Sequence, residues 1–164
     1  CGVNTTTLPE VIDSLIATIR GLTPQRIADH RFDLWVETYD LREVAMGAAG
    51  SSFRRFQVER VADIEADPVL DAEANHFGAE IEILVAYPTK ITSLYGENGL
   101  RDLHRTATQD GQLIWTALND SVNHPLGATV TFPRVSPIDR SSEHVWFQPV
   151  VARVHWYEAT PIVS

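Results

Sequence analysis

At 164 residues, 44% apolar and 21% charged, the chain can bury a real core without disulfide or metal staples and has the composition of one globular domain. Its net charge of −9 is the wrong sign for a broad grip on nucleic acid, and no apolar run nears the ~20 residues of a membrane span. The single cysteine, Cys1, excludes an intrachain disulfide.

Residues 1–7 read as a flexible polar lead to a single domain spanning 1–164. Thr7 and Glu10 make a capping box around Pro9. Leu8, Val11, Ile12, Leu15, Ile16 and Ile19 then recur at helical spacing, so a short amphipathic helix is predicted, ended by Gly21 and Pro24. Arg31–Tyr39 alternates Phe32, Leu34 and Val36 against Asp33, Trp35 and Glu37, a strand pattern. Asp40–Met46 offers one or two helical turns. The Gly-rich run 47–52 that follows lacks the Lys-Ser/Thr of a phosphate loop. Phe53–Val61 is expected as a second strand with Phe56 and Val58 inward.

Between Glu59 and Glu82, eight carboxylates face one arginine, Arg60. Within that stretch, residues 62–77 read as a long acidic surface loop broken by Pro68, with a helical turn at Val69–Ala74. Ala79, Ile81, Ile83, Val85 and Tyr87 give the clearest strand, stopped by Pro88.

Gly99–Asn119 is predicted as one long helix with Leu100, Leu103, Ala107, Ile114 and Leu118 on a stripe. Gly111 interrupts it at a cost of about 1 kcal/mol relative to Ala, as expected where another backbone comes close. Arg101 and Arg105 lie on its other side beside Asp102. After a turn at His124–Gly127 come a strand, Thr129–Val135, and a polar loop, Ser136–Glu143. The final strand, Val145–Ala159, is apolar on both faces, which suits a sheet interior or a subunit contact. Pro149 has no N–H, so a bulge or unpaired stretch is expected there. The fold class is α+β: a mixed or antiparallel sheet of about five strands, with an N-terminal helix and one long central helix packed on it.

Chemistry-bearing patterns are sparse. The run Asp63-Ile-Glu65-Ala-Asp67-Pro68 has the alternating carboxylates of a calcium loop, but Pro68 stands where Gly is needed and Ala74 where a bidentate Glu is needed. The six histidines show no metal-ligand spacing. Ser141 and Ser142 precede Glu143 and His144, yet neighbouring strand residues point to opposite faces and no Gly-x-Ser-x-Gly elbow is present. Cys1 admits three readings: an acylated lipoprotein terminus, an N-terminal nucleophile, or the point where a trimmed chain begins, which is the one expected. No catalytic, cofactor-binding or metal-binding residue is assigned. Trp35, Trp115, Trp146 and Trp156 read first as core. Four tryptophans nevertheless leave a surplus, and aromatics are enriched in interface cores. Trp115, Trp146 and Trp156 are therefore the candidate subunit-interface residues.

Three features stand in order: the helix Val11–Leu22 leading through Thr23-Pro24 to an Arg/Phe strand; Glu82-Ile-Leu-Val-Ala-Tyr-Pro88 followed by Leu100-Arg-Asp-Leu-His104 through Ile114-Trp-Thr-Ala-Leu-Asn-Asp120; and the closing Val154-His-Trp-Tyr-Glu158. In these the chain resembles the tail-terminator (tail-completion) proteins of long-tailed bacteriophages, across residues 8–158, with the acidic 62–77 stretch as a departure.

The resemblance implies a structural virion protein, made in the host cytoplasm, that forms a hexameric ring. Such a ring caps the tail tube and joins it to the head connector or stopper protein, without cofactor or membrane. DNA passes through its hole unbound, and a negative chain suits that passage, since attraction to phosphate scales with basic contacts. The alternatives are another head–tail connector ring, such as a stopper or head-completion protein, a lipid-anchored binding module with acylated Cys1, and a small hydrolase using Cys1.

Overall fold

A computed structural model describes residues 4–24, 34–47, 53–64, 74–89 and 99–159. The first helix, α1 (Leu8–Arg20), starts at Thr7, whose hydroxyl accepts from the Glu10 N–H, while Glu10 in turn accepts from the Thr6 hydroxyl at 2.9 Å. The first of these bonds satisfies a backbone donor that a helix start leaves open, and the second ties the side chains of the cap together. Val11, Leu15 and Ile19 are its buried stripe.

A five-stranded mixed sheet follows: β1 (Val36–Glu37), β2 (Arg55–Ile64), β3 (Ala74–Pro88), β4 (Ala128–Val135) and β5 (Val145–Ala159), in spatial order β1-β2-β3-β5-β4. β1 runs parallel to β2; every other pairing is antiparallel. Between β1 and β2 lies the short helix α2 (Leu41–Gly47), and between β3 and β4 the long helix α3 (Gly99–Asn119). Asn123 donates to the Ala117 carbonyl and His124 Nε2 lies 3.0 Å from that of Leu118, closing the α3 C-terminus.

Among the described residues the sheet has one covered face and one half-covered face. On the first, Phe56, Val58, Ile81, Ile83, Val85, Val150 and Val154 meet α1 and α3 in the main core. On the second, α2 covers only one end, where Leu41 and Ala45 pack on Leu84, Ala86, Val145 and Phe147. Arg42 of α2 stacks on Phe147 at 4.7 Å and pairs with Asp139 of the β4–β5 connection at 3.1 Å. The hydroxyl and N–H of Ser141, then Arg42, hold the Asp139 carboxyl below its ordinary value.

Several expectations need correction. Of the strand expected over 31–39, residues 31–33 lie outside the described ones and 34–39 form strand only at Val36–Glu37. Trp35 is buried, donating to the Leu22 carbonyl at 3.1 Å, while Leu34 is 72% exposed. One indole anchored to the end of α1 outweighs two smaller side chains. Much of the acidic 62–77 loop is strand, since β2 runs to Ile64 and β3 begins at Ala74; residues 65–73 lie outside the described ones. β3 ends at Pro88, the expected stop.

The expected irregularity at Pro149 falls elsewhere. Pro149 pairs in continuous register with Leu84, and the register shift is in β4, between Thr131 and Arg134. The Pro149 carbonyl accepts from Ser136 on the β4 side. A strand residue's N–H points the same way as its C=O, so the missing donor takes nothing from the β3 ladder. Leu100, expected on the buried stripe of α3, is half-exposed. At Gly111 the close neighbours are side chains, not backbone: an added Cβ would meet Val135 Cγ1 at 3.1 Å and Gln148 Cγ at 3.2 Å.

The N-terminal lead is docked from Asn4 onward. The Thr6 N–H donates to the Tyr157 carbonyl at 2.7 Å, and Asn4 and Thr5 press against Gly127, which needs its φ of +83°.

Candidate subunit-contact surfaces

The densest cluster of charged and polar groups is closed to solvent. Arg54, at the start of β2 and with a φ of +55°, is fully buried. Its Nε donates to Asp110 Oδ2 at 2.8 Å and an Nη donates to Oδ1 at 3.2 Å, while Tyr87 donates its hydroxyl to Oδ2 at 2.6 Å. Phe53 and Trp35 lie against the guanidinium at 5.2 and 5.8 Å. Burial pushes the Asp110 carboxyl up, and the Arg54 guanidinium and Tyr87 hydroxyl pull it back. A cluster without access cannot meet a substrate. It locks α3 to the sheet. Sequence reasoning missed it, although one signal was there: Asp110 falls between Ala107 and Ile114 on the buried side of α3, where a carboxylate needs a partner.

The half-covered face carries a second group. Glu59 of β2 stands directly opposite Glu82 of β3, with Glu80 two residues along. Burial raises the Glu82 carboxyl above its ordinary value; Arg42 opposes this, while Glu59, Asp139 and Glu80 add to it. Farther across the sheet, Arg134 pairs with Glu80 at 3.2 Å and Arg153 lies over the Phe132 ring at 5.9 Å. Glu80, Phe132, Arg134, Val151 and Arg153 line an open cleft of about 420 Å³.

Exposed apolar side chains gather at the two opposite edges of the sheet. At the β1 edge are Leu34, Val36 and Tyr39 (79% exposed). At the β4 edge are Val122 and Leu126 before the strand and Phe132 (77% exposed) within its irregular stretch. Phe132 has a φ of +49°, a backbone conformation that a bulky side chain rarely adopts.

The three tryptophans separate. Trp115 is 38% exposed on α3 and donates to the Pro133 carbonyl at 2.9 Å, placing it beside the β4 edge. Trp146 is half-buried, edge-on to His104, with Arg140 at 5.8 Å. Trp156 is 4% exposed and belongs to the core, stacked on Phe77, so it offers no outward surface on a single chain. The pairing of β3 with β5 also brings His76 and His155, distant in sequence, to a ring separation of 5.4 Å, with Tyr157 stacked on His76 at 4.7 Å. Among the described residues no three His, Cys, Asp or Glu side chains converge as a metal site would require. No described helix is long and apolar enough to cross a membrane.

No protein-family model matches this chain, and no curated protein does.

Proposed function

We propose that the chain is a structural subunit of the neck of a long-tailed phage, of the tail-terminator kind, and that it catalyses no reaction. In this reading six copies form a ring that caps the tail tube and joins it to the head connector, with DNA passing through without specific contact. The observation that carries it is the placement of exposed apolar side chains at opposite sheet edges, around Tyr39 and around Phe132. Two unlike sticky edges on one subunit give a head-to-tail contact, which closes into a ring when the rotation permits. The order of elements and the net charge of −9 support the same reading.

Native mass measurement is the direct test. The expected particle is six times the 18.3 kDa of one chain, and it should be retained by purified tail tubes. A chain that stays monomeric at high concentration and binds neither tube nor connector overturns the proposal. Retention by the connector alone moves the assignment to a stopper ring.

A further inference from the structure

We infer that the ring contact is made by the β1–α2 edge of one copy seated on the β4 edge of the next, with Tyr39 entering the cleft beside Phe132. This rests on the ring reading and assigns its joining surfaces. Size, charge and backbone geometry agree on it. The cleft is walled by Phe132, Pro133, Val151 and Ala152, with the Arg134–Glu80 pair and Arg153, which has no carboxylate partner among the described residues, at its rim. An aromatic anchor filling such a pocket is the usual centre of a tight interface. Tyr39 is the most exposed aromatic among the described residues and stands at the opposite edge of the sheet.

The charges match. From Ser121 to Pro137 the β4 edge contains no carboxylate, and Arg153 beside it pairs with no carboxylate among the described residues; it only covers Phe132. Around Tyr39 lie Glu37, Asp40 and Glu43, and none has an ion-pair partner among the described residues. The described cations of that edge are already engaged, Arg42 with Asp139 and Arg55 with Thr38 at 3.1 Å. An acidic edge therefore faces a basic one when copies meet head to tail. Meeting tail to tail would place like charges together, which selects against the symmetric dimer. Of the three described residues other than glycine at positive φ, two stand at these sites, Asp40 at +51° and Phe132 at +49°, and the third, Arg54, is in the core. The Phe132 conformation is the rarer one for its side chain.

The test uses two variants of the full chain, Tyr39→Arg on one edge and Phe132→Asp with Arg153→Gln on the other. All three positions are exposed, so each variant should keep the wild-type circular dichroism and urea midpoint. Sedimentation should show each variant alone as a monomer, with association weakened at least ~100-fold, the loss of one anchor worth about 3 kcal/mol. Mixed in equal amounts, they should form a one-to-one dimer and nothing larger, because each keeps the one edge that the other needs. A mixture that stays monomeric, a variant that still assembles alone, or a monomeric wild type overturns the inference. Failure of the phage reading looks different: the mixture pairs, but the wild-type particle binds neither tail tube nor connector.

Discussion

Arg54 carries its charge into a place where water does not follow, and its backbone sits in the left-handed region to get it there. The arrangement persists because Asp110 accepts two bonds from the guanidinium and Tyr87 supplies a third. Removing one partner of such a pair leaves an uncompensated buried charge. Asp110→Asn should therefore cost about 3–5 kcal/mol in urea unfolding. The apolar replacement Arg54→Met with Asp110→Leu and Tyr87→Phe should recover most of that loss, since no desolvated charge remains.

Glu82 has the opposite economy. A carboxyl whose folded-state pKa lies above its unfolded value stabilises the fold in acid and loses that contribution as pH rises through the folded value. For Glu82 the cause is burial, then the neighbouring carboxylates Glu59, Asp139 and Glu80, with Arg42 opposing. Glu82→Gln should thus raise the urea midpoint at pH 7 and leave it unchanged below pH ~4, where the glutamate is already protonated.

Between elements, two glycines show how close contact is accommodated in different ways. At Gly111 a Cβ would meet side chains, Val135 Cγ1 at 3.1 Å and Gln148 Cγ at 3.2 Å, which must give by a few tenths of an ångström. Gly111→Ala gains about 1 kcal/mol of helix propensity, which offsets much of the overpacking. At Gly127 a Cβ would meet the backbone of Asn4 and Thr5 at 3.1 Å, and φ is +83°. Gly127→Ala should cost roughly 1–3 kcal/mol and speed amide exchange at Thr6, whose bond to Tyr157 holds the lead in place. Gly111→Ala should stay within about 1 kcal/mol of wild type. Elements with strong periodicity were legible in the sequence: α3 at Gly99–Asn119 and β5 at Val145–Ala159 end where their patterns end. The acidic stretch was not, because Ile64 and Phe77 stand too isolated in Ala62–Ile64 and Asn75–Phe77 to set an alternating pattern. Those segments are strand through ladder bonds to β3 and β5, a tertiary cause that composition does not carry.

For the whole molecule, the contact surfaces were harder to read than the fold. Trp156 stood out by type and proved to be core, whereas Tyr39 and Phe132 drew no notice because exposure depends on strand order, and spatial order β1-β2-β3-β5-β4 is not the chain order. That order has a consequence during synthesis. β5 is made last of the strands yet sits between β3 and β4, so both of its neighbours wait with an open ladder until Ala159 has left the ribosome. Unpaired edges of this kind recruit whatever strand is near. Slow translation of residues 136–159 would lengthen the interval in which crowded nascent chains can tangle, and a chaperone that shields β3 and β4 during that interval would raise the yield of correctly closed protein.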